Sequence, residues 1–131
     1  MANPEHLEIL KQGVEAWNQW WDQNHIEADL SNADLSSLEL DSVKLPFANL
    51  SGAKLNYTKL RNAALNLANL QGADLTGADL QGAGFSKANL DGARLHAADF
   101  SAAQLTGASL VKVDAEGARF VVSNLSRSNL R

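Results

Sequence analysis

The sequence predicts an all-β solenoid, a chain wound into stacked coils, with one α-helix before it. Two observations support this prediction. From residue 28 onwards a large apolar residue recurs at every fifth position, with a small residue two places before it. Before that point, apolar residues are spaced as on one face of a helix. At 131 residues the chain has the length of one domain.

The repeating unit has five positions, which are numbered here from the small residue. In the unit ANLQG, residues 68–72, the first position is Ala, the second Asn and the third Leu. Third positions fall at every multiple of five from 30 to 130, and 20 of these 21 residues are Leu or Phe, with Ala115 as the exception. Ala occupies 15 of the 21 first positions, whereas second positions are mostly polar.

Neither an α-helix nor a strand can bury this pattern on one side. Five residues advance an α-helix by about 500°, so third positions would spread around its whole circumference. In an extended strand, an odd interval sends successive third positions to opposite faces. The chain must therefore turn after each unit, so that first and third positions point to a common axis and stacked coils share one core.

Residues spaced by twenty predict four units per coil. Two series of second positions carry this prediction. One alternates in charge and the other is mostly amide: Asp34, Lys54, Asp74, Arg94, Asp114; and Asn49, Asn69, Asn89, Ser109, Asn129. Residues about 4.8 Å apart in neighbouring coils would interact favourably in both series. A coil of fifteen residues gives no comparable series.

One amphipathic helix is predicted over residues 4–23. Asn3 is a good N-cap for it, and Pro4 suits the first helical position. Asn18 falls on the polar face. The apolar face contains five residues that we expect to cover the first coil: Leu7, Leu10, Val14, Trp17 and Trp21.

The repeats resemble those of the pentapeptide-repeat family, whose unit is commonly written A-[DN]-L-x-x. The units ANLQG, ADLTG, ADLQG and ANLDG match that motif letter for letter. The resemblance implies a right-handed quadrilateral β-helix of about five coils over residues 28–131. It also implies that the N-terminal helix is a cap, so the chain divides into a capping helix with its linker, residues 1–27, and the repeat domain.

Composition argues against several classes of partner and site. The net charge is −4, and residues 27–131 carry eleven acidic and ten basic residues, so no strong field favours a nucleic acid or an anionic membrane. The absence of Cys removes disulfides, thiolate zinc sites and Cys nucleophiles. The first residues lack the features of a signal peptide, and no apolar stretch approaches 18 residues. We expect a cytoplasmic protein.

Enzymatic chemistry has little support in the sequence. His6, His25 and His96 are far apart and belong to no nucleophile motif, metal-ligand spacing or phosphate-binding loop. We therefore expect no catalytic residues, no cofactor and no metal. Asp79 and Asp99 would stack in neighbouring coils, where they would either hold a hard cation or remain two solvated carboxylates.

Two groups of apolar residues are predicted at outward positions. Phe47 and Leu67 are fifth positions twenty residues apart, with Ala64 near them, and would form an apolar patch. This patch would contact a partner or be covered by the residue 24–27 linker. The second group lies near the end of the repeats, where it would support a weak tail-to-tail homodimer or belong to a frayed coil: Val111, Val121 and Val122.

These features favour a non-catalytic scaffold that binds an unidentified protein partner. The alternative is a DNA-mimicking modulator of the type II topoisomerase gyrase, which the resemblance suggests through the quinolone-resistance members of the family. That mechanism needs a long, strongly anionic rod. The repeats here are close to neutral and about five coils long, which favours the scaffold.

Overall fold

The structure, a computed structural model, describes every residue except Arg131, the last residue of the predicted repeat domain. Seventeen parallel β-bridges each join two second positions twenty residues apart, from the pair Asp29 and Asn49 to the pair Ser109 and Asn129. Each coil therefore contains four units, as the twenty-residue series predict. We number the four sides by the third positions of the first coil: Leu30 (side 1), Leu35 (side 2), Leu40 (side 3) and Leu45 (side 4).

Backbone hydrogen bonds join each unit to the coils before and after it. Lys54, for example, donates its N–H to the carbonyl of Ala33 at 2.9 Å and accepts from the N–H of Leu35 at 2.8 Å. Fifth positions add another bond, such as that from the N–H of Tyr57 to the carbonyl of Thr76 at 2.8 Å. Because the bonds run along the axis of the coil, unpaired backbone edges are confined to its two ends.

A tight turn forms every corner. At each described corner except the one after Leu110, the N–H of the next first position donates to the carbonyl of the third position, as from Ala73 to Leu70 at 3.0 Å. All twenty fifth positions from Asn32 to Arg127 have positive φ, between 57° and 73°. Seven of these residues are Gly, which adopts this conformation readily, and the coil holds the other thirteen in it.

Second-position Asp and Asn side chains stabilise the turns that follow them. All ten such residues between 29 and 124 accept a hydrogen bond from the N–H two residues later, at 2.9–3.3 Å. This Asx turn satisfies a backbone donor that the corner leaves without a backbone partner. The geometry explains why the motif favours Asp and Asn at this position.

At three corners that lack an Asp or Asn at the second position, the fourth-position N–H bonds to a side chain of another coil. In each case the acceptor is a fourth-position side chain of the coil before, at 2.9–3.1 Å: Asp41 bonds to Arg61 N–H, Asn66 to Ser86 N–H and Asp91 to Val111 N–H. At these three corners the acceptor therefore comes from a neighbour along the axis instead of a neighbour along the chain.

The core is a continuous column of first and third positions. From Ala28 to Leu110 these side chains are at most 5% exposed, apart from the partly buried Leu38. In the last coil, the side chains at the same positions are partly buried, including Val113 and Phe120, or exposed, as Leu130 is at 61%. The core is thus closed along its length and more open at its far end.

Two helices precede the coil: α1, Pro4–Lys11, and α2, Val14–Asn24. The prediction of one helix over residues 4–23 is wrong. Gly13 has φ of +115°, which residues with a Cβ atom rarely adopt, so the chain bends between the two helices. The bend allows both helices to pack on the core, where Leu10 is 1% and Trp17 0% exposed.

Helix α1 and the residue before it bond to the first coil on side 1. Asn3 donates its N–H to the carbonyl of Asp29 at 2.9 Å, and the N–H of Asp29 donates to Nδ1 of His6 at 3.1 Å. Both edge groups of Asp29 are thereby satisfied. His6 is 7% exposed and lies beside Trp17 and Trp20, with ring centroids 6.4 and 5.3 Å away.

Helix α2 satisfies the equivalent backbone groups on side 4. The indole N–H of Trp17 donates to the carbonyl of Lys44 at 2.7 Å, and the N–H of Lys44 donates to Oδ1 of Asn18 at 2.9 Å. Nδ2 of Asn18 donates to the carbonyl of Ser42 at 3.0 Å. Oδ1 of Asn18 therefore replaces the carbonyl acceptor that a preceding coil would supply, and the indole of Trp17 replaces its N–H donor.

The inward and outward assignments predict unequal effects of two neighbouring substitutions. Leu70 is fully buried, so Leu70→Ala should lower the free energy of unfolding by about 2–5 kcal/mol. Gln71 is exposed and bonds through its backbone alone, from its N–H to Asn69 and from the N–H of Gly52 to its carbonyl, so Gln71→Ala should change stability by less than about 0.5 kcal/mol. Urea denaturation of both variants measures the difference, and equal losses would contradict the assignment.

Candidate interaction surfaces

Phe47 and Leu67 form an exposed apolar patch at the corner that follows side 4. Both are fifth positions, and the twenty-residue period places them in consecutive coils of one column, about 4.8 Å apart along the axis. Their exposed fractions are 52% and 45%. The predicted pair therefore lies together at the surface, and half of each side chain is accessible to a partner.

The patch continues onto a smooth part of side 4. Ala64 pairs with Lys44 before it and Gly84 after it, so two consecutive second positions carry almost no side chain. Pro46, next to Phe47, adds partly buried apolar surface. A partner could therefore approach the backbone of side 4 closely beside the two larger side chains.

The backbone at the patch is strained for the residues that occupy it. Phe47 has φ of +62° and Leu67 +59°, in the left-handed region that favours Gly and Asn. Large apolar residues gain nothing from this conformation and lose about 1–2 kcal/mol relative to the right-handed one. Strained residues that are also exposed are candidates for a role in binding.

Tyr57 has the same backbone conformation at a different corner, after side 2, and is 62% exposed. Its ring lies over Gly77 of the next coil, where a Cβ atom would come within 2.5 Å of the ring. Tyr57 is therefore partly packed on its own coil and shares no column with Phe47.

The valines near the end of the repeats do not form one surface. Val121 and Val122 lie after side 3 and are 53% and 86% exposed. Val111 lies after side 1, half a coil away, and its N–H bonds to Asp91. Of the three valines, only Val121 and Val122 lie together and could form one contact surface near the C-terminal end of the repeats.

Charges on side 2 alternate in the structure as the sequence predicts. The five residues are joined by β-bridges in one column: Asp34, Lys54, Asp74, Arg94 and Asp114. Each inner member has an opposite charge before and after it. The column therefore presents no extended field of one sign.

The predicted pair of carboxylates on side 3, Asp79 and Asp99, is formed by a β-bridge. Nε of Arg61 donates to Oδ2 of Asp79 at 2.5 Å, so a guanidinium from the protein lies where a cation would be expected. Arg119 follows Asp99 in the same column. Within the described part of the chain, no group of three or more His, Asp or Glu residues could hold a metal ion.

The five predicted cap residues all contact the core. Leu10 and Trp17 are buried, while Leu7, Val14 and Trp21 are partly buried. The apolar pattern of the helix does not reveal the polar residues that bond to the coil edge, His6 and Asn18. The sequence does contain an indication for Asn18. Its side-chain amide has the same donor and acceptor groups as a peptide bond, and it lies beside the apolar stripe that packs on the coil.

The three histidines lie in separate environments. His6 is in the helix packing described above, and the ring of His25 stacks on Trp21 with centroids 4.6 Å apart. His96 is an exposed fourth position on side 2. Among the described residues, the structure brings none of these three imidazoles into contact with another.

The Asx turns lower the pKa values of several aspartates. Hydrogen bonds from the hydroxyl and the N–H of Ser31 hold the pKa of Asp29 below its ordinary value, and Ser36 does the same for the pKa of Asp34. These donors stabilise the ionised carboxylate, and protonation would weaken the bonds that they make.

The pKa values of Asp74 and Asp99 are also lowered, although both carboxylates are partly buried. Burial raises the pKa of Asp74, but hydrogen bonds from Thr76 and the charge of Arg94 outweigh this effect and lower the pKa overall. Burial also raises the pKa of Asp99, but hydrogen bonding to Ser101 and the positive charges of Arg119 and Arg61 lower it overall. Corner turns on sides 2 and 3 are therefore most stable when these carboxylates are ionised.

Neither of the described helices is long and apolar enough to cross a membrane.

The sequence profile of the family described as pentapeptide repeats matches this chain in eight copies, over residues 48–86, 59–96 and 98–131. Among curated protein sequences, none matches this chain. The family match thus covers most of the coil.

Solved structures similar to this one include proteins from a plant and from cyanobacteria. A pentapeptide repeat protein from the thylakoid lumen of Arabidopsis thaliana is 36% identical with a TM-score of 0.68, and the match covers 69% of this chain and 63% of that protein. One from Nostoc PCC 7120 is 27% identical with a TM-score of 0.55, over 82% and 94% of the two chains. One from Cyanothece 51142 is 24% identical with a TM-score of 0.60, over 87% and 97%. This last likeness concerns the fold alone.

The lowered aspartate pKa values predict acid-sensitive stability. Each of these carboxylates stabilises the fold above its unfolded pKa of about 3.9, and this contribution is lost as the pH falls through the lower pKa of the folded state. The free energy of unfolding should therefore decrease as the pH is lowered from 5 to 3. Urea titrations at a series of pH values measure it.

The control for this prediction is the double variant Asp74→Asn/Asp99→Asn. An Asn keeps the acceptor for the turn, as Asn69 and Asn89 do in the native protein, but does not titrate. The variant should lose less stability between pH 5 and pH 3 than the wild type. An equal loss in both proteins would mean that these two carboxylates are not responsible.

Proposed function

We propose that this chain, which belongs to the pentapeptide-repeat family, is a non-catalytic scaffold that binds a protein partner. Its coil is a rigid column of packed residues with mixed charges on its sides. In this proposal residues 1–27 cap the first of about five coils, and the partner binds to the outside of the column.

The observation that carries the proposal is the patch of Phe47 and Leu67. Exposed apolar side chains at adjacent positions are a common mark of a protein interface. Here they also occupy a backbone conformation that disfavours them, and smaller residues occur at the same position elsewhere in the coil, such as Gly72 and Gly92. The coil accommodates Gly at this position, which supports a role for the two larger side chains in contact with a partner.

The charge pattern favours this proposal over the DNA-mimic alternative. A protein that imitates DNA must present rows of negative charge along its axis. On side 2 the rows alternate in sign, and on side 3 the carboxylate of Asp79 is paired with Arg61. We therefore propose a protein partner without direct contact to nucleic acid or membrane.

We also propose a weak tail-to-tail homodimer of the 131-residue chain through Val121 and Val122. Val122 is 86% exposed and β-branched, with φ of +58°, a conformation that is unusual for such a residue. A contact centred on one corner buries less surface than a stable dimer requires, so the association should be weak.

Partner binding through the patch can be separated from stability. The variant Phe47→Gly/Leu67→Gly removes both side chains and places Gly where φ is +62° and +59°. We expect stability to be unchanged or raised by up to about 1–2 kcal/mol, because the left-handed conformation no longer carries a penalty. Affinity capture from the native host, with wild type and variant as bait, should show partner proteins only with the wild type.

The matched control is Tyr57→Gly, which makes the same change at an exposed aromatic residue of another corner. This variant should retain the captured partner. A double variant that unfolds, or that captures the same partner as the wild type, would show that the patch serves packing rather than binding.

For the homodimer, Val122→Asp introduces a charge at the proposed contact in a residue that tolerates positive φ better than Val. Sedimentation velocity should show the wild type associating at about micromolar concentrations or above, and the variant remaining a monomer. A wild type that stays monomeric throughout the concentration series, or a variant that dimerises equally, would reject the contact.

A further inference from the structure

The helices satisfy the backbone edge of the first coil on only two of its four sides. On side 1, the N–H and carbonyl of Asp29 bond to His6 and Asn3. On side 4, those of Lys44 bond to Asn18 and Trp17. The equivalent residues on sides 2 and 3 are Asp34 and Glu39. Within the described part of the chain, their N–H groups have no hydrogen-bond acceptor and their carbonyls have no donor.

Side 2 also borders a cleft of about 470 Å³ between α1 and the first coil. One wall is formed by Ala2, Pro4 and Leu7, and the other by residues from Ser31 to Asp34. The cleft is mostly apolar and therefore suits an aliphatic side chain. It lies beside the unpaired backbone groups of Asp34, so one ligand can reach both features.

From these two features we infer that the cleft receives an extended segment of a partner protein, which adds one rung to side 2. The bonding of Lys54 shows the geometry that such a rung must have. Lys54 lies opposite Asp34, and its neighbours in the rung are the small Ala53 and the large Leu55, which point inward. An incoming segment would place a small residue, an outward residue and a large apolar residue in the same order.

The charge of the outward residue follows from the column on side 2. Asp34 is the first member of a series whose signs alternate, so the complementary residue before it is Lys or Arg. Glu39 begins the column on side 3, and its partner Lys59 is 3.8 Å away in the next coil. Both open edges therefore present an acidic side chain, and the triplet that fits side 2 is small–basic–apolar.

Two other occupants fit the cleft less well. A second copy stacked on this end would meet the two helices, and its last side 2 rung would bring Asp114 towards Asp34 with the same charge. Lys11 lines the cleft, but no ion pair within 4.0 Å joins it to Asp34. The charges of Lys54 and Lys11 both act on Asp34, but neither forms a close ion pair with it, so a basic residue from another protein can still approach its carboxylate.

Binding of this kind is a form of strand addition, in which backbone hydrogen bonds give affinity and side-chain pockets give specificity. The proposal is independent of the Phe47 and Leu67 patch, which lies at the corner after side 4. The variant Phe47→Gly/Leu67→Gly should therefore bind the segment normally, so failure of one proposal does not decide the other.

The test uses the 131-residue protein labelled with ¹⁵N and the synthetic peptide SGAKLSG, with blocked termini. Titration followed by NMR should give saturable shifts centred on Asp34 and Leu7, with a dissociation constant of about 0.1–1 mM. The amide of Asp34 should also exchange more slowly with solvent when the peptide is bound. The amide of Asp74, which already bonds to Ala53, should not change.

Two comparisons test whether the peptide's basic residue is recognised and whether Asp34 is the residue that recognises it. The peptide SGADLSG should bind about two- to fivefold more weakly, the effect of one exposed ion pair. The variant Asp34→Asn keeps the acceptor for the Ser36 turn and should remove that preference. Asp74→Asn makes the same change at a rung that is already paired on both sides, and should leave the preference unchanged.

The variant Ala2→Trp tests the cleft, because it adds bulk outside both helices and should abolish binding. Its NMR spectrum away from the cleft should match that of the wild type, which verifies the fold. Equal binding of the two peptides, unchanged binding to Ala2→Trp, or shifts centred elsewhere would overturn the proposal. Concentration-dependent shifts of Asp34 in the free protein would show that a second copy fills the cleft, and would also overturn it.

Discussion

The structure depends on the turn that ends every unit. A hydrogen bond between the third position and the next first position closes that turn, and the fifth position must adopt positive φ to form it. Because the chain changes direction after each five residues, first and third side chains always point inward. Side chains at second, fourth and fifth positions point outward. The flat sides, the core and the twenty-residue register all follow from this one local geometry.

The turn also creates a demand for hydrogen-bond acceptors that the backbone does not meet. Asp and Asn at second positions supply most of them from within the unit, and Asp41, Asn66 and Asp91 supply three from the coil before. The choice of polar residues is thus partly a matter of stability. This limits how much of the polar surface can be interpreted as a binding site, and gives more weight to exposed residues that serve no turn.

The ends of the coil, unlike its sides, need hydrogen-bond partners from outside the coil. Along its length each coil is paired by its neighbours, but the first coil has backbone groups that face away from the rest. The helices meet this requirement with an imidazole, an indole and an amide on sides 1 and 4, where His6 and Asn18 act as acceptors. Within the described residues, the N–H and carbonyl groups of Asp34 and Glu39 on sides 2 and 3 have no such partner, so the four sides of a nearly regular repeat differ in what they can bind.

The sequence by itself determined the five-residue unit, the inward positions and the four units per coil. All three features depend on local geometry that repeats at every unit. The alternating charges of Asp34, Lys54 and Asp74 indicate, from the sequence, which residues lie next to each other in consecutive coils. Phe47 and Leu67 could also be paired from the register alone.

Only the tertiary structure decided how the helices meet the coil. The apolar stripe predicted that a helix would pack there, but the spacing continues through Gly13, and the bend depends on the shape of the surface that both helices cover. The roles of His6 and Asn18 depend on edge groups more than twenty residues away in sequence. No periodicity relates a helix of 3.6 residues per turn to a coil of twenty, so their contacts exist only once both are folded together.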